Sequence, residues 1–174
     1  MSVPSLYSSE YMLTSEIETT ALAAQFAQVA EFFIQQGITL YLEGDLGAGK
    51  TFFTQQLLRA WGYSGAVKSP TYGLVEVYSL PIGDICHFDL YRLNAPEELE
   101  DMGFREYWGP GQLCVVEWPM RGGNLLPSAD VVLLLQGISC ELLDTQLLAR
   151  RAVMTARSHL GVDLLRRMKE SVKK

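Results

Sequence analysis

The sequence predicts an α/β fold in three layers: a mostly parallel sheet with helices on both faces and one added antiparallel hairpin. Three observations carry this reading. The apolar run Ile38 to Glu43 passes directly into a glycine-rich stretch and then into helix-forming composition, the strand–loop–helix order of an α/β unit. Leu113 to Trp118 and Asp130 to Leu135 have the length and continuous apolar character of buried strands. Tyr72 to Ser79 and Asp84 to Leu90 read as two further strands, joined by Leu80-Pro81-Ile82-Gly83, which suits a turn and pairs them as a hairpin.

In chain order, the first element is a long helix: Ser15 and Glu18 fit a capping box, and Ile17, Ala21, Ala24, Val29 and Phe33 recur at helical spacing before Gly37. Lys50 to Trp61 forms the second helix, stopped by Gly62. Ala95-Pro96 followed by Glu97, Glu98 and Glu100 marks a helix start, because proline is tolerated in the first turn and acids favour the positive end of the dipole. Leu142 to Met154 reads as a weaker strand, and Val162 to Val172, with Leu165, Met168 and Val172 on one side, as a terminal amphipathic helix. Without repeats, linkers or low-complexity stretches, residues 1–174 read as a single domain with a basic C-terminal segment from about residue 150.

A chain of 174 residues, 48% hydrophobic and 20% charged, buries one sizeable core. No apolar stretch approaches the roughly 20 residues of a spanning helix. The opening MSVPSLYSSE has neither a basic start nor an apolar signal segment, so a soluble, cytoplasmic protein is expected. Cys86, Cys114 and Cys140 are far apart and odd in number, which fits buried reduced thiols and neither metal nor redox spacing. From Arg150 onward eight Lys/Arg stand against Asp163 and Glu170; that segment carries +6, leaving −12 of the net −6 chain elsewhere. Such a body repels bare nucleic acid, so an RNA-related role runs through partners or through the basic segment. That segment either touches tRNA or an acidic partner, or is a solvated helix packed through Leu165 and Met168.

Gly44-Asp45-Leu46-Gly47-Ala48-Gly49-Lys50-Thr51 fills G-x-x-x-x-G-K-[ST] between a strand and a helix, the context of a P-loop NTPase fold. Glycines let consecutive N–H groups point at phosphate, and the helix start adds donors and a positive dipole end. Lys50 would reach the β- and γ-phosphates, the Thr51 hydroxyl would be a Mg²⁺ ligand, and Phe52 continues the nucleotide-binding stretch. Such a site also needs a carboxylate at the end of a neighbouring buried strand, and Glu117 fits as a catalytic and metal residue.

Period two sorts Cys86-His87-Phe88-Asp89-Leu90-Tyr91-Arg92: Cys86, Phe88 and Leu90 face one way, His87, Asp89 and Tyr91 the other. Asp89 is the candidate for positioning water or a metal-bound water. His87 either orients it or is an ordinary satisfied histidine, and Arg92 pairs with an acid or a phosphate. Ser69-Pro70-Thr71-Tyr72, after Lys68, lies where P-loop proteins carry a γ-phosphate-sensing loop, though Ser-Pro also simply makes a turn. Trp118 packs at the core edge or lies beside the nucleotide.

Taken together, GDLGAGKT at 44–51, KSPTY at 68–72, HFDLYRL at 87–93, Glu97-Glu98-Leu99 to Gly103, and VEWP at 116–119 resemble the TsaE (YjeE) family, through about Pro127. The resemblance implies a small Mg²⁺-dependent P-loop ATPase, needed to form N6-threonylcarbamoyladenosine at position 37 of tRNAs reading codons that begin with A. It implies TsaD and TsaB as partners, with hydrolysis driving turnover of their complex and tRNA met through it. By motif it gives Lys50 and Thr51 to phosphate and magnesium, Glu117 to the metal, Asp89 to hydrolysis, Ser69 to Tyr72 to a switch-like loop and Trp118 to the nucleotide. Beyond about Leu147 the chain departs from the family pattern.

Two alternatives stand beside it. A P-loop kinase uses the same cradle, but no substrate domain or arginine-bearing lid is evident, although Arg150 and Arg151 could be argued. A nucleotide-gated binding module would bind ATP with little hydrolysis. No N-K-x-D guanine-reading motif occurs, so ATP is the expected nucleotide.

Overall fold

The computed structural model describes residues 7–70, 73–139 and 148–171. The α/β class holds, with one seven-stranded sheet at its centre. Strands β1 (Tyr7–Leu13), β2 (Ile38–Glu43), β3 (Val75–Leu80), β4 (Gly83–Asp89), β5 (Gln112–Glu117), β6 (Val131–Ser139) and β7 (Leu148–Ala156) lie in the order β1-β7-β6-β2-β5-β4-β3. The four central strands, β6, β2, β5 and β4, are parallel. Antiparallel pairs finish both sides: the expected β3–β4 hairpin turning at Pro81-Ile82, and β6–β7–β1.

Alternation along the strands sends two sets of side chains to two cores. Ile38, Leu40 and Leu42 of β2 and Leu113 and Val115 of β5 face the larger core, under helices α1 (Glu16–Ala30), α2 (Lys50–Ala60) and α4 (His159–Ser171). Cys86 and Phe88 of β4 and Cys114 and Val116 of β5 face the smaller one, closed by Leu99 of the four-residue helix α3 (Glu98–Asp101) and by Phe104. Helices therefore cover both faces, long ones on one and short ones on the other.

Helix α1 begins where its cap predicts, Ser15 Oγ accepting from Glu18 N–H at 3.3 Å. Of the expected stripe Val29 is buried and Phe33 packs against the core, whereas Ile17, Ala21 and Ala24 point to solvent and Leu22, Ala23, Phe26, Ala27 and Ala30 fill the inner face. Small alanines let α1 lie close to the sheet and α2, where Phe26 meets Phe53 edge-on at 6.3 Å. The start at Ala95-Pro96 gives only one helical turn, because Gly103 (φ +67°) redirects the chain into a 3-10 turn at Phe104–Tyr107. Two strands differ from expectation. The sequence reading contains no β1, whose exposed side chains alternate with half-buried ones at the sheet edge, and β7, described from Leu148, runs to Ala156, two residues past the expected Met154. Residues 142–147 lie outside the described residues, as do Thr71, Tyr72, Cys140 and Val172.

Helix α4 packs through Leu164, Leu165 and Met168 and leaves Arg166, Arg167 and Lys169 exposed, as a solvated amphipathic helix does. Cys86 and Cys114 are buried free thiols, as expected, and burial pushes the Cys114 thiol up. Among the described residues no helix is long and apolar enough to cross a membrane.

Candidate functional site

The glycine loop leaves the end of β2 and enters α2 at Lys50. Gly44 adopts φ +136°, and a Cβ there would lie 2.2 Å from the backbone oxygen of Leu135 on β6, so only glycine lets the loop turn this close to the sheet. Gly49, at φ +104°, is the helix N-cap. Ala48 is buried, whereas Asp45, Leu46 and Gly47 are exposed along the loop's outer rim. Lys50 itself is only 4% exposed, and its Nζ donates to the carbonyls of Gly44 (2.7 Å) and Asp45 (2.8 Å). Burial lowers the Lys50 pKa below that of an ordinary lysine, and the carboxylates of Glu117, Asp89 and Asp45 partly oppose this.

Above the loop opens a cleft of about 420 Å³, whose walls include Lys50, Thr51, Phe52, Ser69, Asp89 and Glu117. Asp89 and Glu117 end β4 and β5 as register partners, and alternation turns both toward the α2 side. Both are nearly buried, at 3% and 2% exposure. Thr51 Oγ1 donates to Glu117 Oε2 at 3.1 Å, joining the first turn of α2 to the end of β5. The other oxygen, Oε1, lies 2.8 Å from His87 Nε2. A carboxylate only accepts, so Nε2 carries the hydrogen, while Nδ1 is buried with no hydrogen-bond partner among the described residues. His87 therefore orients Glu117 rather than Asp89. Asp89 is held separately, accepting from the Ser69 hydroxyl and from Tyr91 N–H (3.0 Å).

Among the described residues no three His, Cys, Asp or Glu side chains cluster to hold a metal. A Mg²⁺ that takes most of its ligands from phosphate and water needs only one or two protein oxygens. The Thr51 hydroxyl and the Glu117 carboxylate, 3.1 Å apart at the cleft floor, fit that lesser demand.

A family model described as threonylcarbamoyl adenosine biosynthesis protein TsaE matches residues 13–146. The chain belongs to the TsaE family. The tRNA threonylcarbamoyladenosine biosynthesis protein TsaE of Haemophilus influenzae is 38% identical over 154 residues, covering 88% of this chain and 92% of that protein. The Bacillus subtilis protein of the same name is 39% identical over 101 residues, 58% of this chain and 60% of that one. Among solved structures, Bacillus subtilis YdiB superposes with a TM-score of 0.71 over 95% of this chain and 96% of that one, at 22% identity, which supports the fold. The TsaE family is P-loop NTPase-like and acts in tRNA threonylcarbamoyladenosine biosynthesis.

In this TsaE chain Trp118 packs at the core edge and also lines the cleft. It packs against the smaller core, lies tilted at 49° against Tyr91 with 5.0 Å between ring centroids, and its ring centroid lies 4.1 Å from Lys50 Nζ. Its backbone is left-handed (φ 58°, ψ 47°), an uncommon state for a bulky residue, and it turns the chain sharply into Pro119. Lys68 and Arg92 are exposed, and Thr71 lies outside the described residues. Glu16 from the first turn of α1 and Arg150 from β7 also wall the cleft. Local pattern gives no signal for Glu16, and Arg150 carries only its type and position after the last motif.

Proposed function

We propose that this chain is the Mg²⁺-dependent ATPase component of the system that forms N6-threonylcarbamoyladenosine at position 37 of tRNAs reading ANN codons. It acts as one cytoplasmic domain that binds ATP on residues 44–52 and hydrolyses it to drive turnover of the TsaB–TsaD complex, meeting tRNA through that complex. The single observation that carries the reading is the link from the glycine loop to the strand carboxylate, Thr51 Oγ1 to Glu117 Oε2 at 3.1 Å.

In this reading the loop N–H groups and Lys50 take the β- and γ-phosphates, Lys50 exchanging its two carbonyl partners for phosphate oxygens. Thr51 and Glu117 hold Mg²⁺, which when bound offsets charge on the β- and γ-oxygens. Asp89, fixed by Ser69 and Tyr91, orients water for attack on the γ-phosphorus. The water oxygen bonds to phosphorus, the bond to the β–γ bridging oxygen breaks, and ADP, phosphate and a proton leave. Ser69 and Thr71 belong to the loop that responds to the γ-phosphate, and Trp118 walls the site beside Lys50.

The test is Mg²⁺-dependent ATP hydrolysis by the purified chain, alone and with the TsaB and TsaD proteins of the same organism. Strong stimulation that disappears in Lys50→Ala is expected. Full ATP affinity and turnover in that variant would refute the assignment of the loop, and binding without stimulation would refute the coupling to TsaB–TsaD.

A further inference from the structure

His87 and Glu117 meet along a diagonal of the parallel sheet. On β4 His87 pairs with Val115 of β5, and Glu117 lies two positions further along β5, on the same face. The imidazole reaches forward across that diagonal, its Nε2 2.8 Å from Glu117 Oε1. His87 is fully buried and stands outside the cleft wall that Glu117 helps to form, so it holds the carboxylate from behind.

The ring's own surroundings do not account for its burial. Nδ1 has no hydrogen-bond partner among the described residues, and a buried polar atom left so costs free energy. What the imidazole does make is the bond to Glu117.

That bond divides the carboxylate. Oε1 is taken by His87, and Oε2 faces Thr51 Oγ1 at 3.1 Å on the cleft floor. Glu117 is thereby left with one oxygen for an incoming cation. Asp89, its register partner, is engaged by Ser69 and by Tyr91 N–H and competes for neither oxygen. Cations differ in what they ask of a carboxylate. Mg²⁺ demands a near-ideal octahedron, which the narrow bite of a two-oxygen carboxylate fits poorly, whereas Ca²⁺ gathers about six to eight oxygens in flexible geometry and takes carboxylates through both.

We propose that His87 is a positioning residue that makes the site select Mg²⁺ over Ca²⁺, by holding Glu117 Oε1 so that the carboxylate meets the ion through Oε2 alone. This rests on the magnesium reading of Thr51 and Glu117 given above. The role needs a hydrogen-bond donor at the reach of Nε2 and makes no use of a change in the ring's charge.

The test measures binding of a β,γ-methylene analogue of ATP, which is not hydrolysed, by calorimetric titration in EDTA, in Mg²⁺ and in Ca²⁺. It compares wild type with His87→Gln, which keeps an N–H donor at the reach of Nε2, and with His87→Leu, which has none. Thermal melting beside each titration checks the fold. Wild type is expected to gain more affinity from Mg²⁺ than from Ca²⁺. In His87→Leu the gain from Mg²⁺ should fall roughly tenfold or more, the usual effect of freeing a metal-binding group from its hydrogen-bond partner. The gain from Ca²⁺ should be kept or rise, and affinity in EDTA should match wild type. His87→Gln should restore most of the Mg²⁺ preference. A folded His87→Leu with the wild-type preference would overturn the proposal. So would an equal loss in all three conditions, which marks a structural role only, or a folded His87→Gln that prefers Mg²⁺ no more than His87→Leu does. Should His87→Leu not fold, His87→Asn, whose donor stops short of Glu117, carries the same expectations. A wild type that gains equally from both cations would overturn this proposal alone, and one that gains from neither would overturn the magnesium reading with it.

Discussion

The two faces of the sheet are held by different kinds of packing. Under α1, α2 and α4 the filling is mostly aliphatic and comes from long, regular elements. On the other face a four-residue helix and 3-10 turns close over rings: Phe88 lies edge-on to Tyr107 (5.5 Å) and tilted on Trp108 (4.9 Å), and Phe104 meets Trp108 edge-on (5.7 Å). Long helices cover area with many small side chains, whereas short irregular segments need a few large ones to do the same. The cleft borrows from both. Its loop and carboxylates stand on the helical face, and Trp118, which approaches Lys50, is anchored in the aromatic one.

Removing a ring from the helical face should cost most. Phe53→Ala, in a fully buried position of α2 just behind the glycine loop, is expected to lose about 3–5 kcal/mol in urea denaturation. A loss below about 1 kcal/mol would mean that this face is not where the stability lies. Phe104→Ala on the other face should cost less, about 3 kcal/mol, because the short turn around it can settle into the space. Nucleotide affinity should be unmoved there, and a larger loss than for Phe53→Ala would reverse the comparison.

Trp118→Leu probes where the faces meet. Loss of the cation–π contact between partly exposed Trp118 and buried Lys50, at least about 0.5–1 kcal/mol, should shift nucleotide affinity by roughly two- to fivefold or more with little change in melting temperature. A large drop in stability would instead make Trp118 a core residue alone. The smallest effect is one of pH. Burial depresses the folded-state pKa of Lys50, so its charge costs stability below that pKa, and the cost vanishes above the unfolded-state value. Nucleotide affinity should accordingly decline with rising pH earlier than an ordinary lysine would dictate, a decline that titrations across alkaline pH would reveal and that Lys50→Arg should postpone.

The loop was legible because glycine and lysine are demanded there by local backbone geometry, as Gly44 against Leu135 illustrates. Alternation along 86–91 was enough to bring His87 and Asp89 to one face, and the strand end at Glu117 to place it beside them. What failed depends on distant neighbours. Tyr7-Ser8-Ser9-Glu10 has no apolar period of its own and becomes a strand by pairing with β7, more than 140 positions away. The inner stripe of α1 could not be chosen from spacing, since Ile17 looks better suited to a core than Ala23 until the closeness of α2 favours the alanine. Arg150 reaches Gly49 only through the sheet order.

The two carbonyls that clasp Lys50 carry a consequence for kinetics. With its ammonium satisfied by Gly44 and Asp45, the loop is already curled before any anion arrives. The entropy of ordering it belongs to folding and is not charged again at binding. On the nucleotide reading proposed above, an incoming phosphate would trade places with two oxygens instead of organising a floppy strap, so capture should be limited by encounter and by the release of that clasp, and the empty and filled loops should differ chiefly in where one lysine points.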